Sequence, residues 1–137
     1  MTRSFWITGL SHCALMATGC DTRFTALSVP PPGKTAELDD DDRRIEISRG
    51  VALAFECVSH YGDPCSGAKA GVEQPQVAEV FSGYLDVLTE ARLYGPEPKG
   101  GEPRTIFVVV GRQAGQARLR VNSGDGNATF SVDVLAD

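Results

Sequence analysis

The sequence lacks the features expected of a nucleic-acid-binding protein or of a protein that crosses the membrane several times. Its 137 residues include 13 Lys and Arg against 18 Asp and Glu, a net charge of -5. Nucleic acids and anionic lipid surfaces both attract clusters of Lys and Arg, so both are disfavoured as partners. No apolar run is long enough to cross a hydrocarbon core of about 30 Å. The composition and length favour one small domain.

Motifs on which many small enzymes depend are also missing. The chain has only two histidines, no Gly-x-Ser-x-Gly elbow around a nucleophile, and no glycine-rich loop that ends in Lys-Ser/Thr to hold phosphates. The nearest candidate triad combines Ser59 or Ser66 with His60 and Asp63. Residues so close along one loop seldom adopt the geometry of a triad. We therefore expect neither an enzymatic activity nor a cofactor.

The first twenty residues form a distinct segment in which one basic residue, Arg3, precedes a mainly apolar run. The run ends in Ala17-Thr18-Gly19-Cys20 and is too short to span a bilayer. These residues resemble the lipobox of bacterial lipoproteins. The resemblance implies removal of residues 1–19 as a signal peptide, acylation of Cys20 (for example by palmitate), and attachment to a membrane of the bacterial cell envelope through the lipid. The alternative is an uncleaved strand through residues 5–7.

Two cysteines, Cys57 and Cys65, lie outside this segment. In an oxidising envelope compartment such a pair predicts a disulfide that closes a local loop, here one with the turn-prone sequence Gly62-Asp63-Pro64. The alternative is a zinc site formed by Cys57, His60 and Cys65, with Asp63 as a further ligand. Zinc sites of this kind usually carry a second CxxC or HxxxH pair, which the chain lacks, so the disulfide is favoured and no metal is expected.

Residues 20–44 differ in composition from the rest of the chain. They contain Pro30-Pro31-Pro32-Gly33, then four consecutive aspartates, Asp39 to Asp42, and then Arg43-Arg44. A segment without an apolar period buries too little surface to offset the entropy of ordering. The composition predicts an acidic, disordered tether about 25–30 Å from end to end. Calcium loops space their ligands at alternate positions, so the contiguous aspartates favour a solvated run.

From Ile45 onward, short runs in which apolar and polar residues alternate predict β-strands. The predicted strands cover residues 45–48, 51–57, 106–110, 117–121 and 130–134, and a hairpin turn is expected at residues 123–127. The run at 106–110 predicts a central strand covered on both faces, and the last three strands are predicted to form a meander. Residues 77–88 carry apolar side chains at intervals of three and four, which favours a short strand followed by a turn of helix.

The apolar positions of these strands predict one hydrophobic core. Its expected members are Leu53, Phe55, Phe107, Val109, Leu119, Val121, Phe130 and Val132. Three tyrosines near predicted turns, Tyr61, Tyr84 and Tyr94, are candidates for contact with a partner, because an aromatic ring with a polar tip is common in binding surfaces. Residues 127–129 formally match an Asn-Ala-Thr glycosylation acceptor, which a bacterial lipoprotein would ordinarily leave unmodified.

Four segments resemble motifs of bacterial immunoglobulin-like domains. They are Pro75-Gln76-Val77-Ala78-Glu79-Val80, Phe107 to Gly111, Gly115 to Val121, and Phe130 to Val134. The resemblance covers residues 45–137 and implies an all-β, immunoglobulin-like β-sandwich. The chain departs from the family in its cysteine pair and in a long insertion at residues 83–104.

Such domains are structural, spacer or adhesive modules and carry no transferable catalytic residues. The sequence therefore predicts a lipid-anchored protein of the cell envelope that acts as a binding or structural module, with a protein or glycan as its partner. One alternative is an accessory subunit of a larger envelope assembly. Another is a small metal-binding or hydrolytic protein.

Overall fold

The computed structural model describes residues 22–85 and 104–136, which form nine β-strands. In chain order these are β1 (Arg23–Ala26), β2 (Ala36–Asp39), β3 (Arg44–Ser48), β4 (Ala52–Val58), β5 (Lys69–Val72), β6 (Ala78–Leu85), β7 (Arg104–Gly111), β8 (Gly115–Ser123) and β9 (Gly126–Leu135). The described residues contain no helix, and so none that is long and apolar enough to cross a membrane.

The strands pack as two sheets. One sheet has four strands in the order β1-β4-β7-β6, and the other has five in the order β2-β3-β9-β8-β5. Paired strands are antiparallel except for β3 and β9, which run parallel. Apart from β2 and β3, this order corresponds to the ABED and GFC sheets of an immunoglobulin constant-type domain. The predicted all-β, immunoglobulin-like sandwich is confirmed.

A cluster of phenylalanine rings fills the space between the sheets. The ring centroids of Phe55 and Phe107 in the four-stranded sheet are 5.5 Å apart, and Phe24 meets Phe130 of the other sheet edge-on at 5.0 Å. Successive strand residues point to opposite faces, so the alternating apolar residues meet in the interior. The predicted core is confirmed, since all eight of its members are at most 1% exposed: Leu53, Phe55, Phe107, Val109, Leu119, Val121, Phe130 and Val132.

Residues 22–44 belong to the sandwich, so the predicted tether at residues 20–44 and the predicted domain start at Ile45 are wrong. β1 pairs with β4, and β2 pairs with β3. Phe24 and Ala36 are each only 5% exposed and join the core. Each of these two strands has four residues and one fully buried apolar side chain. So short a strand gives no detectable period of two.

Residues 78–85 form strand β6, so the turn of helix predicted after a short strand is wrong over these residues. β6 pairs with β7 along its whole length, from Ala78 opposite Gly111 to Leu85 opposite Arg104. The helical spacing of its apolar residues is therefore overridden by tertiary strand pairing, which often decides the structure of short segments. The predicted helical residues after Leu85 and most of the predicted insertion lie outside the described residues.

The last three strands divide between the two sheets, so the predicted meander is wrong. β7 lies in the four-stranded sheet, whereas β8 and β9 form a hairpin in the other, with its turn inside the predicted range. β7 is not fully covered on both faces either. Phe107 and Val109 are buried, but Ile106 and Val108 on the outer face are half-buried. Its neighbours are antiparallel, and an antiparallel sheet can leave one face partly open to water.

Candidate functional site

The end of the sandwich at which β1 begins, called here the N-terminal end, carries three different stabilising contacts. It contains Arg23 at the start of β1, Val58 at the end of β4 and Arg104 at the start of β7. Arg23 pairs with Val58, and Glu56 of β4 pairs with Ile106 of β7, so these strand ends lie side by side. The opposite end carries the loop that follows β1.

The first contact is a disulfide between Cys57 and Cys65, as the sequence predicted. The two Cα atoms are 5.4 Å apart, within the usual range for a disulfide of about 4.4–6.8 Å. Cys57 lies in β4 and is 3% exposed, and Cys65 is 7% exposed. The bond therefore ties the loop after β4 directly to the core.

The loop closed by this disulfide is tightly held by its own backbone. The Ser59 amide donates to the Asp63 carbonyl at 2.7 Å, and the Gly62 amide donates to the Ser59 carbonyl at 3.0 Å. Gly62 has φ +88°, a conformation that glycine adopts without steric cost. The tip presents His60 and Tyr61 to solvent, and the Tyr61 side chain is 82% exposed.

This loop forms neither the Ser-His-Asp triad nor the zinc site that the sequence left as alternatives. The sulfur atoms of Cys57 and Cys65 are bonded to each other, so neither is a thiolate ligand. The part of the chain that the structure describes contains no group of three or more His, Cys, Asp and Glu that could hold a metal ion. Within the same residues the buried Ser59 hydroxyl has no hydrogen-bond partner. The His60 ring lies edge-on to Tyr61, with centroids 5.4 Å apart, and is not hydrogen-bonded to the Ser59 hydroxyl.

The second contact is made by Arg43, in the turn between β2 and β3. Its guanidinium carbon lies 5.1 Å from the ring centroid of Phe24 and 5.6 Å from that of Phe130. The same guanidinium donates to the Thr22 carbonyl at 3.2 Å and forms an ion pair with Asp40. The Asp40 carboxylate in turn accepts a hydrogen bond from the Phe24 amide at 3.1 Å. The aspartate-rich turn therefore fastens the start of β1 to the sandwich.

The third contact is a buried ion pair between Glu56 of β4 and Arg104 of β7. The guanidinium and carboxylate are 3.1 Å apart, and the Arg104 and Glu56 side chains are 1% and 0% exposed, respectively. Two charges removed from water depend on each other, because loss of one leaves the other buried without compensation. The pair therefore locks two central strands together at the N-terminal end.

A shallow cleft of about 460 Å³ lies beside the disulfide-closed loop. Its lining includes Asp63, Cys65 and Ser66 from the loop and the segment after it, with Tyr84 of β6 and Thr105 of β7. Tyr84 is 68% exposed. A carboxylate, three hydroxyl groups and an aromatic ring can hydrogen-bond and stack against a ligand. Among the described residues, the lining includes no histidine or free thiol that would act as a base or nucleophile.

A wider groove of about 650 Å³ crosses the outer face of the five-stranded sheet. One carboxylate of its lining, that of Glu73, forms an ion pair with Arg120 at 2.5 Å and lies 3.9 Å from Arg118. On the same face a hydrogen bond to Asp133, together with that carboxylate's charge, raises the pKa of Arg44. Because these ion pairs are exposed, this face is a solvated surface rather than a binding site.

The remaining predicted residues are placed as follows. Tyr61 and Tyr84 both lie at the N-terminal end, whereas Tyr94 lies outside the described residues. Asn127 is exposed on β9. Cys20 and the predicted signal peptide also lie outside the described residues. Sequence reasoning missed Arg43 and the Glu56–Arg104 pair, and no pattern of alternation would have marked two charged residues as buried partners.

Comparison with known proteins finds structures with a similar fold but at low sequence identity. No family model and no curated protein matches the chain. Domains 4–9 of the surface layer protein SbsC align at 14% identity with a TM-score of 0.46, over 87% of this chain and 22% of that one. Domains 4 and 5 of the same S-layer protein align at 15% identity with a TM-score of 0.45, over 75% of this chain and 54% of that one. The chain spans about half the length of these structures or less, and its fold is assigned from its own strand order and core.

Proposed function

We propose that this chain is a lipid-anchored module of the bacterial cell envelope whose sandwich is held directly at the membrane surface. The observation that carries the proposal is where the fold begins. β1 starts at Arg23, three residues after the lipobox cysteine Cys20. Thr22 is already 4% exposed and bonded to Arg43 through its carbonyl.

The short connection sets how far the domain can stand from its anchor. A fully extended chain covers at most about 3.6 Å per residue, so Cys20 lies within about 11 Å of Arg23. The tether predicted from composition would have allowed about 25–30 Å. Acylation of Cys20 would therefore hold the sandwich against the headgroups with little freedom to swing away.

The disulfide supports an envelope location. Disulfides persist in oxidising compartments and are rare where cytosolic thiols are kept reduced. Cys57 and Cys65 are the two cysteines that remain after Cys20, and they are bonded to each other. This pairing leaves Cys20 without a partner cysteine in the mature chain, as acylation of its thiol requires.

The role supported by the described surface is binding or structural support. Among the described residues, the exposed groups at the N-terminal end include the tip of the disulfide-closed loop, a cleft rimmed by Tyr84, and charged turns. Tyr61 and Tyr84 are large side chains that lose little conformational entropy on contact, which suits recognition of a protein or glycan. Their setting offers contacts to a partner rather than a pair of reacting groups.

Mass spectrometry of the mature N-terminus tests the proposal. The full-length chain would be expressed in a bacterium that processes lipoproteins and extracted from its membranes. The expected N-terminal peptide begins at Cys20 and carries acyl groups, which anchor at about 0.8 kcal/mol per buried methylene. A membrane-extracted chain that retains an unmodified Met1 would refute the proposal.

The matched control is Cys20→Ser, which keeps the rest of the chain intact. We expect this variant to lose the acyl groups and to be released from membranes washed with high salt, while its Cys57–Cys65 disulfide stays formed. Equal retention of both proteins on the membrane would show that attachment does not depend on the lipid.

A further inference from the structure

The tip of the disulfide-closed loop, at His60 and Tyr61, is placed by the topology on the same end as the lipobox cysteine. Arg23 is three residues from Cys20, and its strand partner Val58 is three residues from Tyr61. Directly opposite residues of antiparallel strands have Cα atoms about 4.5–5.5 Å apart, and three residues span at most about 11 Å. The anchor and the loop tip are therefore separated by less than about 28 Å and leave the sandwich at one end.

We infer that Tyr61 and His60 rest in the headgroup region of the membrane that holds Cys20. The inference rests on the proposed lipid anchor, because the anchor decides which end of the sandwich faces the bilayer. With only Asp21 and Thr22 between the lipid and β1, the loop after β4 is brought to the membrane surface together with β1.

The loop is built to present these two side chains. The disulfide fixes its base, and the backbone hydrogen bonds at Ser59 and Gly62 fix its tip. Tyr61 is nevertheless 82% exposed, and its ring meets that of His60 edge-on, with centroids 5.4 Å apart. A rigid loop loses little entropy when it makes contact, which favours binding through an already exposed side chain.

The chemistry of the tip fits a lipid headgroup layer of low charge. Tyrosine is enriched at membrane–water interfaces, because its ring is apolar and its hydroxyl hydrogen-bonds to water or headgroups. The N-terminal end also carries exposed Asp41 and Asp42, and the whole chain has a net charge of -5. Anionic lipids would repel these carboxylates, so the favoured surface is zwitterionic.

A tryptophan reporter tests the contact without an interfering background. The chain has one tryptophan, Trp6, which lies in the predicted signal peptide and would be removed on processing. The Tyr61→Trp variant would thus carry the sole tryptophan of the lipidated protein, and His60→Trp provides a second reporter at the same tip. Val29→Trp is the matched control, because Val29 is 89% exposed in the loop at the opposite end.

Each protein would be purified with its acyl groups verified by mass spectrometry and reconstituted in phosphatidylcholine vesicles. Lipids with spin-labelled headgroups should quench the fluorescence of the Tyr61→Trp variant at least twofold more than that of the Val29→Trp control. Aqueous iodide should quench the control more strongly. The free energy of unfolding of each variant would be compared with that of the parent chain. If Tyr61→Trp is destabilised, quenching of the His60→Trp variant tests the same contact.

The possible outcomes distinguish failure of the membrane contact at Tyr61 from failure of the lipid anchor at Cys20. If Cys20 is acylated but the Tyr61→Trp reporter stays open to iodide and unquenched by labelled lipid, the membrane contact is overturned while the anchor stands. If that reporter is shielded from iodide without quenching by lipid, a second copy of the chain covers the loop, and the inference is also overturned. If Cys20 is not acylated, the proposed function itself fails.

Discussion

The two ends of β7 carry the same kind of ion pair in opposite surroundings. At the N-terminal end, Arg104 pairs with Glu56, and both side chains are buried. Just beyond the other end of β7, Arg112 pairs with Glu79 of β6, with side chains 52% and 37% exposed. Burial makes charges depend strongly on each other, whereas exposed pairs are screened by water and salt. The same residue types therefore differ in what they contribute to the fold.

The difference shows where the sandwich is reinforced. The buried pair, the disulfide and the stacked guanidinium of Arg43 all lie at the N-terminal end, where β1 enters the fold. At the opposite end, the contacts of the exposed Arg112 side chain can exchange with water. A domain attached through residues that precede β1 takes any pull from its anchor at the reinforced end, so the contacts lie where the proposed function needs them.

The largest effect is expected from breaking the buried pair. Arg104→Ala leaves the Glu56 carboxylate buried without its guanidinium, and we expect a loss of about 3–5 kcal/mol in the free energy of unfolding. The measurement is urea unfolding of the disulfide-bonded protein. Replacing both partners, as Glu56→Leu with Arg104→Met, should recover most of the loss because no charge is then left buried. A loss below about 1 kcal/mol for Arg104→Ala would show that the pair acts like a surface pair.

Removal of the disulfide should have the next largest effect. The loop it closes is short, so the chain-entropy model gives about 2.5 kcal/mol. Cys57→Ser with Cys65→Ser should lower the free energy of unfolding by that amount, and a reductant should destabilise the parent chain but not the double variant. Chelators should leave both unchanged. Two titratable thiols and bound zinc in the parent protein would contradict the disulfide.

Only part of this fold can be predicted from the sequence. The strands with several alternating apolar residues, such as Leu53 and Phe55 in β4 or Leu119 and Val121 in β8, were predicted together with their shared core. The period of two works there because each strand contributes several buried side chains to one face. β1 and β2 were missed because Phe24 and Ala36 are single buried residues in four-residue strands.

The candidate site was only partly predictable for a related reason. The cysteine pair and the exposed Tyr61 could be read from residue type and from nearby turn residues. The burial of Glu56 could not, because alternation places it on the outer face, where a charged residue is expected in water. Likewise, four consecutive aspartates indicate exposure to solvent. Nothing in the run predicts that Asp40 accepts a hydrogen bond from the Phe24 amide.

A smaller effect is expected at the Arg43 stack. Arg43→Ala removes the guanidinium from Phe24 and Phe130, and we expect a loss of about 1–2 kcal/mol, since cation–π contacts contribute about 0.5–2 kcal/mol depending on burial. Hydrogen exchange should speed up at the Phe24 amide more than in β8. Arg43→Lys keeps the charge but loses the guanidinium that contacts both rings and the Thr22 carbonyl, so it should recover only part of the stability. Unchanged exchange at Phe24 would show that the turn does not fasten β1.

The smallest effect should come from the exposed pair at the opposite end. Arg112 donates to Glu79 through Nε at 2.8 Å, yet both side chains remain open to solvent. Exposed pairs contribute about 0.2–1 kcal/mol, so Arg112→Ala should lower the free energy of unfolding by no more than about 1 kcal/mol, and the loss should shrink in high salt. The Arg104→Ala loss, by contrast, should persist in salt because ions do not reach a buried pair. Equal losses for the two variants, with equal salt dependence, would show that burial does not distinguish the two ends of β7.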